Sequence, residues 1–168
     1  MGISASYHKE MSIALPGQVS DTSRYNIDGA CVVDNANNDV PAKDVKVGYA
    51  VRVVHVDTDG VKQIQQIAQI SEVPYGVAIR SHFQAEADDG SMVYKANGGI
   101  NVITVGRVWM VYGESGDTAP GFGGHVKIDA QGRAVKDSGS GATTGWSYTG
   151  AMTTFDGVKL VEVQLHQI

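Results

Sequence analysis

The sequence predicts an all-β fold, a jelly-roll-like sandwich or barrel with an extended N-terminal arm. Short apolar runs alternate with polar residues at the two-residue period of β-strands. The 168 residues include 21 glycines and only 4 prolines, and a hydrophobic content of 42% can fill a core between many tight turns. No segment shows a convincing long helical period, so we expect strands to dominate.

Residues 1–28 are predicted to form the arm, and residues 29–168 a single β domain. The first 28 residues show no sustained periodicity and carry a turn signal at Pro16-Gly17. Arms of this kind order when they bind a partner and bury surface that they could not bury alone. Because no periodicity places the apolar residues of the arm in the domain core, we expect them to bind a partner. They are Tyr7, Met11, Ile13, Leu15 and Tyr25.

The domain begins with a short strand at residues 30–33, in which Cys31 is expected to be a small buried hydrophobe. Residues 48–64 predict a hairpin that turns at Asp59-Gly60, because both turn positions tolerate positive φ. Both faces of its first strand are largely apolar, so this strand is expected to be central. His55 is then expected to be a hydrogen-bonded core histidine.

Further strands are predicted toward the C-terminus. A hairpin is expected to join residues 91–96 to residues 100–112 around Asn97-Gly98-Gly99, and another to turn at Gln131-Gly132. The chain closes with a half-buried strand, in which apolar residues alternate with polar ones. The residues expected to share one face of the strand within 100–112 are Ile103, Val105, Arg107, Trp109 and Val111.

Charge and hydropathy argue against several classes of partner. The net charge is −5 and no basic stripe is visible, so nucleic acid is not expected to bind. The longest apolar runs are too short to span a bilayer, and no secretory signal is expected. The lone Cys31 cannot form an internal disulfide, which fits synthesis in a reducing cytoplasm. The five histidines lack the spacing typical of metal sites, and no cofactor is expected.

One motif resembles a catalytic site. "GESGD" at residues 113–117 is one residue away from the G-x-S-x-G turn that presents a nucleophilic serine. That turn needs a helix directly after it, whereas "TAPGFGG" follows here. We therefore expect Ser115 to lie in an ordinary loop. The acidic segment at residues 86–89 is likewise expected to be a solvated loop. Residues 57–60 resemble the start of a calcium-binding loop, but this calcium-like segment is expected to be a hairpin turn.

Several weak motifs, taken in order, resemble the structural cement (capsid decoration) proteins of tailed bacteriophages. The resemblance spans about residue 7 to the C-terminus. The motifs are "LPGQVSD" (15–21), "VGYAVRV" (47–53), "YGVAIRS" (75–81), "GGINVITVGRVWMV" (98–111), "GGHVKIDAQGRA" (123–134) and "TGAMTTFDGVKLVEVQL" (149–165). The resemblance implies a compact β fold on the outer surface of the virion capsid, no enzymatic activity, and the major capsid protein as partner. It also implies a small homo-oligomer, a dimer or trimer.

Two other functions remain open at this point. A β-sandwich carbohydrate-binding or tail-fibre module would be favoured if Trp109, Trp146 and Tyr148 formed an exposed platform. A small hydrolase would need Ser115 or the acidic loop as its catalytic group.

Overall fold

The computed structural model describes residues 13–21, 24–34, 43–82 and 84–166. Within these ranges the chain forms strands and no helix, which confirms the predicted all-β class. No membrane-spanning helix occurs in this part of the chain. The strands are β1 (Asn26–Asp28), β2 (Cys31–Val33), β3 (Val45–Lys46), β4 (Ala50–Val56), β5 (Lys62–Gln66), β6 (Gly76–Ala78), β7 (Ala85–Glu86), β8 (Met92–Tyr94), β9 (Val102–Val111), β10 (His125–Ile128), β11 (Ala134–Lys136), β12 (Ala142–Phe155) and β13 (Val158–Leu165).

Ten strands form one large sheet, in the order β11-β10-β12-β13-β9-β6-β4-β5-β2, with β1 also pairing with β9. The end of β9 has neighbours on both sides. The Tyr112 N–H donates to the Lys159 carbonyl at 2.9 Å, and the Gly113 N–H donates to the Ala134 carbonyl of β11 at 2.9 Å. Strands β9, β13, β12, β10 and β11 therefore close into a small barrel. A separate sheet has the order β3-β8-β7.

The apolar side chains form three clusters. The largest, the inner core, fills the barrel and contains Met110, Trp146 and Tyr148. A second lies around Ile64 and Tyr94, beside the three-stranded sheet. Because side chains alternate across a strand, the opposite face of β9, β13 and β12 carries the third cluster, which we call the outer strip. The outer strip consists of Ala14, Trp109, Val111 and Leu160, with Tyr49, Ala151 and Phe155 packed against them.

The predicted turns at Asp59-Gly60 and Gln131-Gly132 are confirmed, and they are built alike. Gly60 and Gly132 have φ values of +82° and +85°, which favour glycine. The Asp57 carboxylate accepts the backbone N–H groups two and four residues later, at 2.9 and 2.8 Å. The Asp129 carboxylate does the same at 2.9 and 2.9 Å. The calcium-like segment is thus a hairpin turn, as expected.

The hairpin predicted around Asn97-Gly98-Gly99 is wrong. Strand β8 pairs with β3 and β7, and not with β9. The turn does form, with Asn97 at a φ of +64°. Beyond it, however, the chain crosses to β2, where the Val33 N–H donates to the Gly98 carbonyl at 2.9 Å. Pairing with β3 lets Tyr94 reach the second core, which local turn chemistry could not reveal.

Strand β9 does not keep one face along its length, so the prediction that Ile103, Trp109 and Val111 share a face is wrong. Ile103 packs in the inner core, whereas Trp109 and Val111 lie on the outer strip. Between them Gly106 has a φ of +116°, and this irregularity reverses which residues face inward. Val102 and Ile103 pair with β6, and the residues from Gly106 onward pair with β13.

Strand β4 is internal, as predicted, but only over part of its length. Strand β6 pairs with Ala50 and Val51 alone, so the far half of β4 projects beyond it. His55 lies in that half and is exposed, which makes the prediction of a core histidine wrong. Cys31 is buried, as predicted.

Candidate interaction surface

The base of the arm is fixed to the domain by backbone contacts. Pro16-Gly17 forms the predicted turn, with the Gln18 N–H donating to the Leu15 carbonyl at 3.0 Å and Gly17 at a φ of +70°. The Gly17 N–H donates to the Trp109 carbonyl at 2.8 Å, and the Trp109 N–H donates to the Gln18 carbonyl at 3.0 Å. This stretch of the predicted arm therefore lies along β9.

A close approach of two backbones explains why the "LPGQ" and "VGYA" motifs each contain a glycine, Gly17 and Gly48. A Cβ on Gly48 would lie 2.9 Å from the Gly17 nitrogen and 2.9 Å from the Pro16 Cβ. A Cβ on Gly17 would lie 2.4 Å from Val47 Cγ1 and 2.8 Å from the Ala78 carbonyl oxygen. Because side chains would separate these backbones, only glycines permit the contact.

The predicted anchor residues of the arm have different environments. Ile13 is 76% exposed, although the next residue, Ala14, is fully buried in the outer strip. Tyr25 is 51% exposed and packs its Cβ against Gly106, and Leu15 is half-buried. Tyr7 and Met11 lie outside the described residues. Two of the three described anchors are therefore apolar side chains available to a partner.

A second accessible feature, which the sequence analysis missed, is one edge of β12. On that side β10 reaches only as far as Ser147, and Tyr148 exchanges backbone bonds with Gly124 and Gly123 at 2.9 and 2.8 Å. From residue 149 to 155, β13 is the only partner within the described residues. We call residues 149–155 the open edge. Phe122, 85% exposed, lies beside its Gly150. The available signal was the absence of charge throughout residues 142–155.

The aromatic residues that would favour a carbohydrate-binding platform are buried. Trp109, Trp146 and Tyr148 all lie in the interior or the outer strip. The Trp146 Nε1–H donates to His166 Nε2 at 3.1 Å, and the Tyr148 hydroxyl donates to the Val135 carbonyl at 2.7 Å. The polar side-chain atoms of Trp146 and Tyr148 thus bond within the protein, and the condition for this alternative, an exposed aromatic platform, is not met.

Ser115 lies in a loop, as predicted. Residues 113–124 are all described and contain no helix, so the geometry of a nucleophile elbow is missing there. Lys159 holds the loop in place. Its ammonium group donates to the carbonyls of Ser115 and Gly116 at 2.7 and 3.1 Å, and pairs with the Asp117 carboxylate at 2.7 Å. In the part of the chain that the structure describes, no cluster of His, Cys, Asp and Glu could hold a metal ion.

The strongest cluster of titratable groups joins β1, β5 and the segment before β6. The Asp28 carboxylate accepts from the Tyr75 hydroxyl at 2.6 Å, from Lys62 at 2.9 Å and from the Ala30 N–H at 3.0 Å. Burial raises the pKa of Asp28, but these hydrogen bonds outweigh it and leave the pKa below its usual value. Burial and the Asp28 charge raise the pKa of the neighbouring Cys31 thiol to about 12. The cluster stabilises β1 against the sheet, and Cys31 is not a reactive thiol.

The acidic loop is also structural. Lys46 pairs with the Asp89 carboxylate at 2.8 Å, and Ser91 bonds to the same carboxylate. These hydrogen bonds, that from Lys46 first, lower the pKa of Asp89. A carboxyl group with a lowered pKa is ionised at neutral pH, and it is therefore a poor general acid.

Comparison with known proteins agrees with this architecture. A solved chain described as "The capsid of Myoviridae Phage XM1" has the same fold, with a TM-score of 0.66, 18% identity and 99% of each chain covered. No curated protein matches the sequence. The family model described as structural cement protein (E217 gp24/Pam3 gp6) matches residues 3–166. This match covers nearly the whole chain, and the chain therefore belongs to the phage structural cement protein family.

Proposed function

We propose that this protein attaches to the outer surface of a phage capsid, where it joins neighbouring subunits of the major capsid protein and stabilises the mature shell. It acts there as a dimer or trimer and catalyses no reaction. A protein that binds only the assembled shell stabilises that state by mass action, because its binding free energy is lost when the shell comes apart.

The observation that carries the proposal is the contrast between Ile13 and Ala14. Ala14 is buried in the outer strip, whereas Ile13 is 76% exposed. The arm thus has a fixed base from which its apolar side chains can reach a partner. Burying them would contribute about 25 cal/mol per Å² of apolar surface. Ordering the chain costs roughly 1–2 kcal/mol per residue, so attachment should need several anchors together. The proposed anchors are Tyr7, Met11, Ile13, Leu15 and Tyr25.

The test is co-sedimentation with undecorated phage heads. Deleting residues 1–12 should weaken attachment and leave the thermal melt of the isolated protein nearly unchanged, because Ala14 and the Pro16-Gly17 turn remain. Tyr25→Ser should weaken attachment as well. Val73→Ser is the matched control, because Val73 is an 81% exposed apolar residue on the loop between β5 and β6.

Equal sedimentation of the truncated and full-length proteins would show that the arm is not an attachment element. Failure of the full-length protein to sediment with heads would contradict the proposed function itself.

A further inference from the structure

The open edge of β12 presents unpaired backbone groups whose direction follows from the hairpin turn. Asp156 and Gly157 have φ values of +48° and +76°, so β12 and β13 are joined by a two-residue turn closed by the Phe155–Val158 pair. The neighbouring Thr154–Lys159 pair is then not hydrogen-bonded, because such pairs alternate. The hydrogen bond of the Lys159 carbonyl agrees with this. It accepts from the Tyr112 N–H at the end of β9, on the side of β13 that faces away from β12. The N–H and C=O of Thr154, and of Met152 two residues earlier, therefore point outward.

The last four residues of this edge, 152–155, lack the usual protection against strand pairing. Exposed edges are commonly blunted by charged residues, prolines or bulges near their free side. The projecting half of β4 has such protection, since it carries Arg52 and a register shift between Val53 and His55. The open edge has a glycine at residue 150 and a register shift between Tyr148 and Met152, but residues 152–155 pair with β13 in regular register and include neither a charged residue nor a proline. It is also rich in threonine, a residue that favours strands.

The N-terminal part of the sequence contains a segment with the alternating pattern of a β-strand. Although the first 28 residues as a whole show no sustained period, apolar and polar residues alternate strictly from Ile3 to Ile13, except at Lys9. Nine extended residues, such as 3–11, span about 30 Å. This is longer than the span of about 23 Å for seven extended residues, the length of the open edge. The segment ends over the outer face of β12, because Ala14 packs in the same cluster as Ala151 and Phe155.

We infer that the open edge of β12 receives residues 3–11 of a neighbouring copy as an added antiparallel or parallel strand. This inference rests on the proposed function, in which the arm leaves its own domain. Ala14 lies over the outer face of the sheet and not beside its edge, so its own segment would have to fold back around β12. A neighbouring copy on the shell can supply the segment extended. Strand addition of this kind gains backbone hydrogen bonds and buries alternate side chains.

The test uses two cysteine variants in a Cys31→Ser background, mixed on phage heads. One variant carries Ser6→Cys and a mass tag at its C-terminus, and the other carries Thr153→Cys. A short bis-maleimide should give a covalent product that contains one copy of each. Adding Thr154→Pro to the second variant removes an outward donor and leaves the ladder to β13 intact. It should lower the yield of the mixed product by about tenfold, as expected for the loss of a backbone pairing contact.

The outcomes separate the inference from the proposed function. Protein that sediments with heads but gives no mixed product overturns the inference and leaves capsid attachment intact. If the full-length protein does not sediment, the proposed function is wrong. The same mixture is then crosslinked in solution at high concentration, where absence of the mixed product also overturns the inference. A thermal melt of the Thr154→Pro variant like that of its parent shows that the fold is retained.

Discussion

Replacing Gly48 by alanine should destabilise the protein by more than backbone strain alone. Gly48 has a φ of +84°, a conformation that costs an L-residue about 1–2 kcal/mol. The added Cβ would also lie 2.9 Å from the Gly17 nitrogen. The backbone cannot easily move to relieve this close contact, because two hydrogen bonds hold it in place. The Gly48 N–H donates to the Ala78 carbonyl at 2.8 Å, and the Gly48 carbonyl accepts from the Val111 N–H at 3.0 Å. Overpacking of this kind adds about 1–3 kcal/mol.

Gly60 provides a matched control. Its φ of +82° is nearly the same, but a Cβ there would meet nothing within 4 Å. Gly60→Ala therefore carries the strain without the close contact. For a domain of this size, 1 kcal/mol shifts Tm by roughly 2–4 °C, so Gly48→Ala should melt about 2–12 °C below Gly60→Ala.

The assay is a thermal melt of both variants and the parent, with amide exchange of the Gly17 N–H as a second readout. Exchange at Gly17 should become faster only in Gly48→Ala, because that variant displaces the turn bonded to Trp109. Equal melting of the two variants would refute the argument that the contact between Gly17 and Gly48 fixes the base of the arm.

Two further predictions concern titratable groups. Because the folded pKa of Asp28 is lowered, its stabilising effect is present above the unfolded value of 3.8 and is lost as the pH falls through the folded value. The Tm difference between the parent and Asp28→Asn should therefore narrow below about pH 4, and a constant difference would contradict the assigned role. The Cys31 thiol, buried and with a pKa raised to about 12, should resist a thiol reagent in the folded protein and react once urea unfolds it. Rapid labelling under native conditions would show that Cys31 is accessible.

The features predicted correctly from the sequence depend on local chemistry. The turns at Asp59-Gly60 and Gln131-Gly132 follow from glycine at positive φ and from an aspartate that bonds the backbone of its own turn. The Pro16-Gly17 turn forms for a similar reason. The all-β class follows from the two-residue period and the frequent glycines. Each of these depends on residues within about five positions of one another.

The features predicted wrongly from the sequence depend on residues far apart in the chain. Strand β8 pairs with β3 and thereby places Tyr94 in the second core, and no turn signal in the sequence indicates this pairing. Ile103 and Trp109 lie on opposite faces of β9 because Gly106 interrupts the strand where Tyr25, distant in the sequence, packs against it. His55 is exposed because β6 is too short to cover the end of β4.

The candidate interaction surface also has one part that could be predicted from the sequence and one part that could not. The sequence by itself predicts the apolar residues of the arm as partner contacts, because the first 28 residues as a whole show no sustained period that would place them in the domain core. Only the tertiary structure decided that Ala14 is fixed while Ile13 is exposed, and that β10 ends before β12 does. An open strand edge is a property of the neighbouring strand as much as of the strand itself. Its position is therefore set by the pairing of β12 with β10 and β13, which no short stretch of sequence encodes.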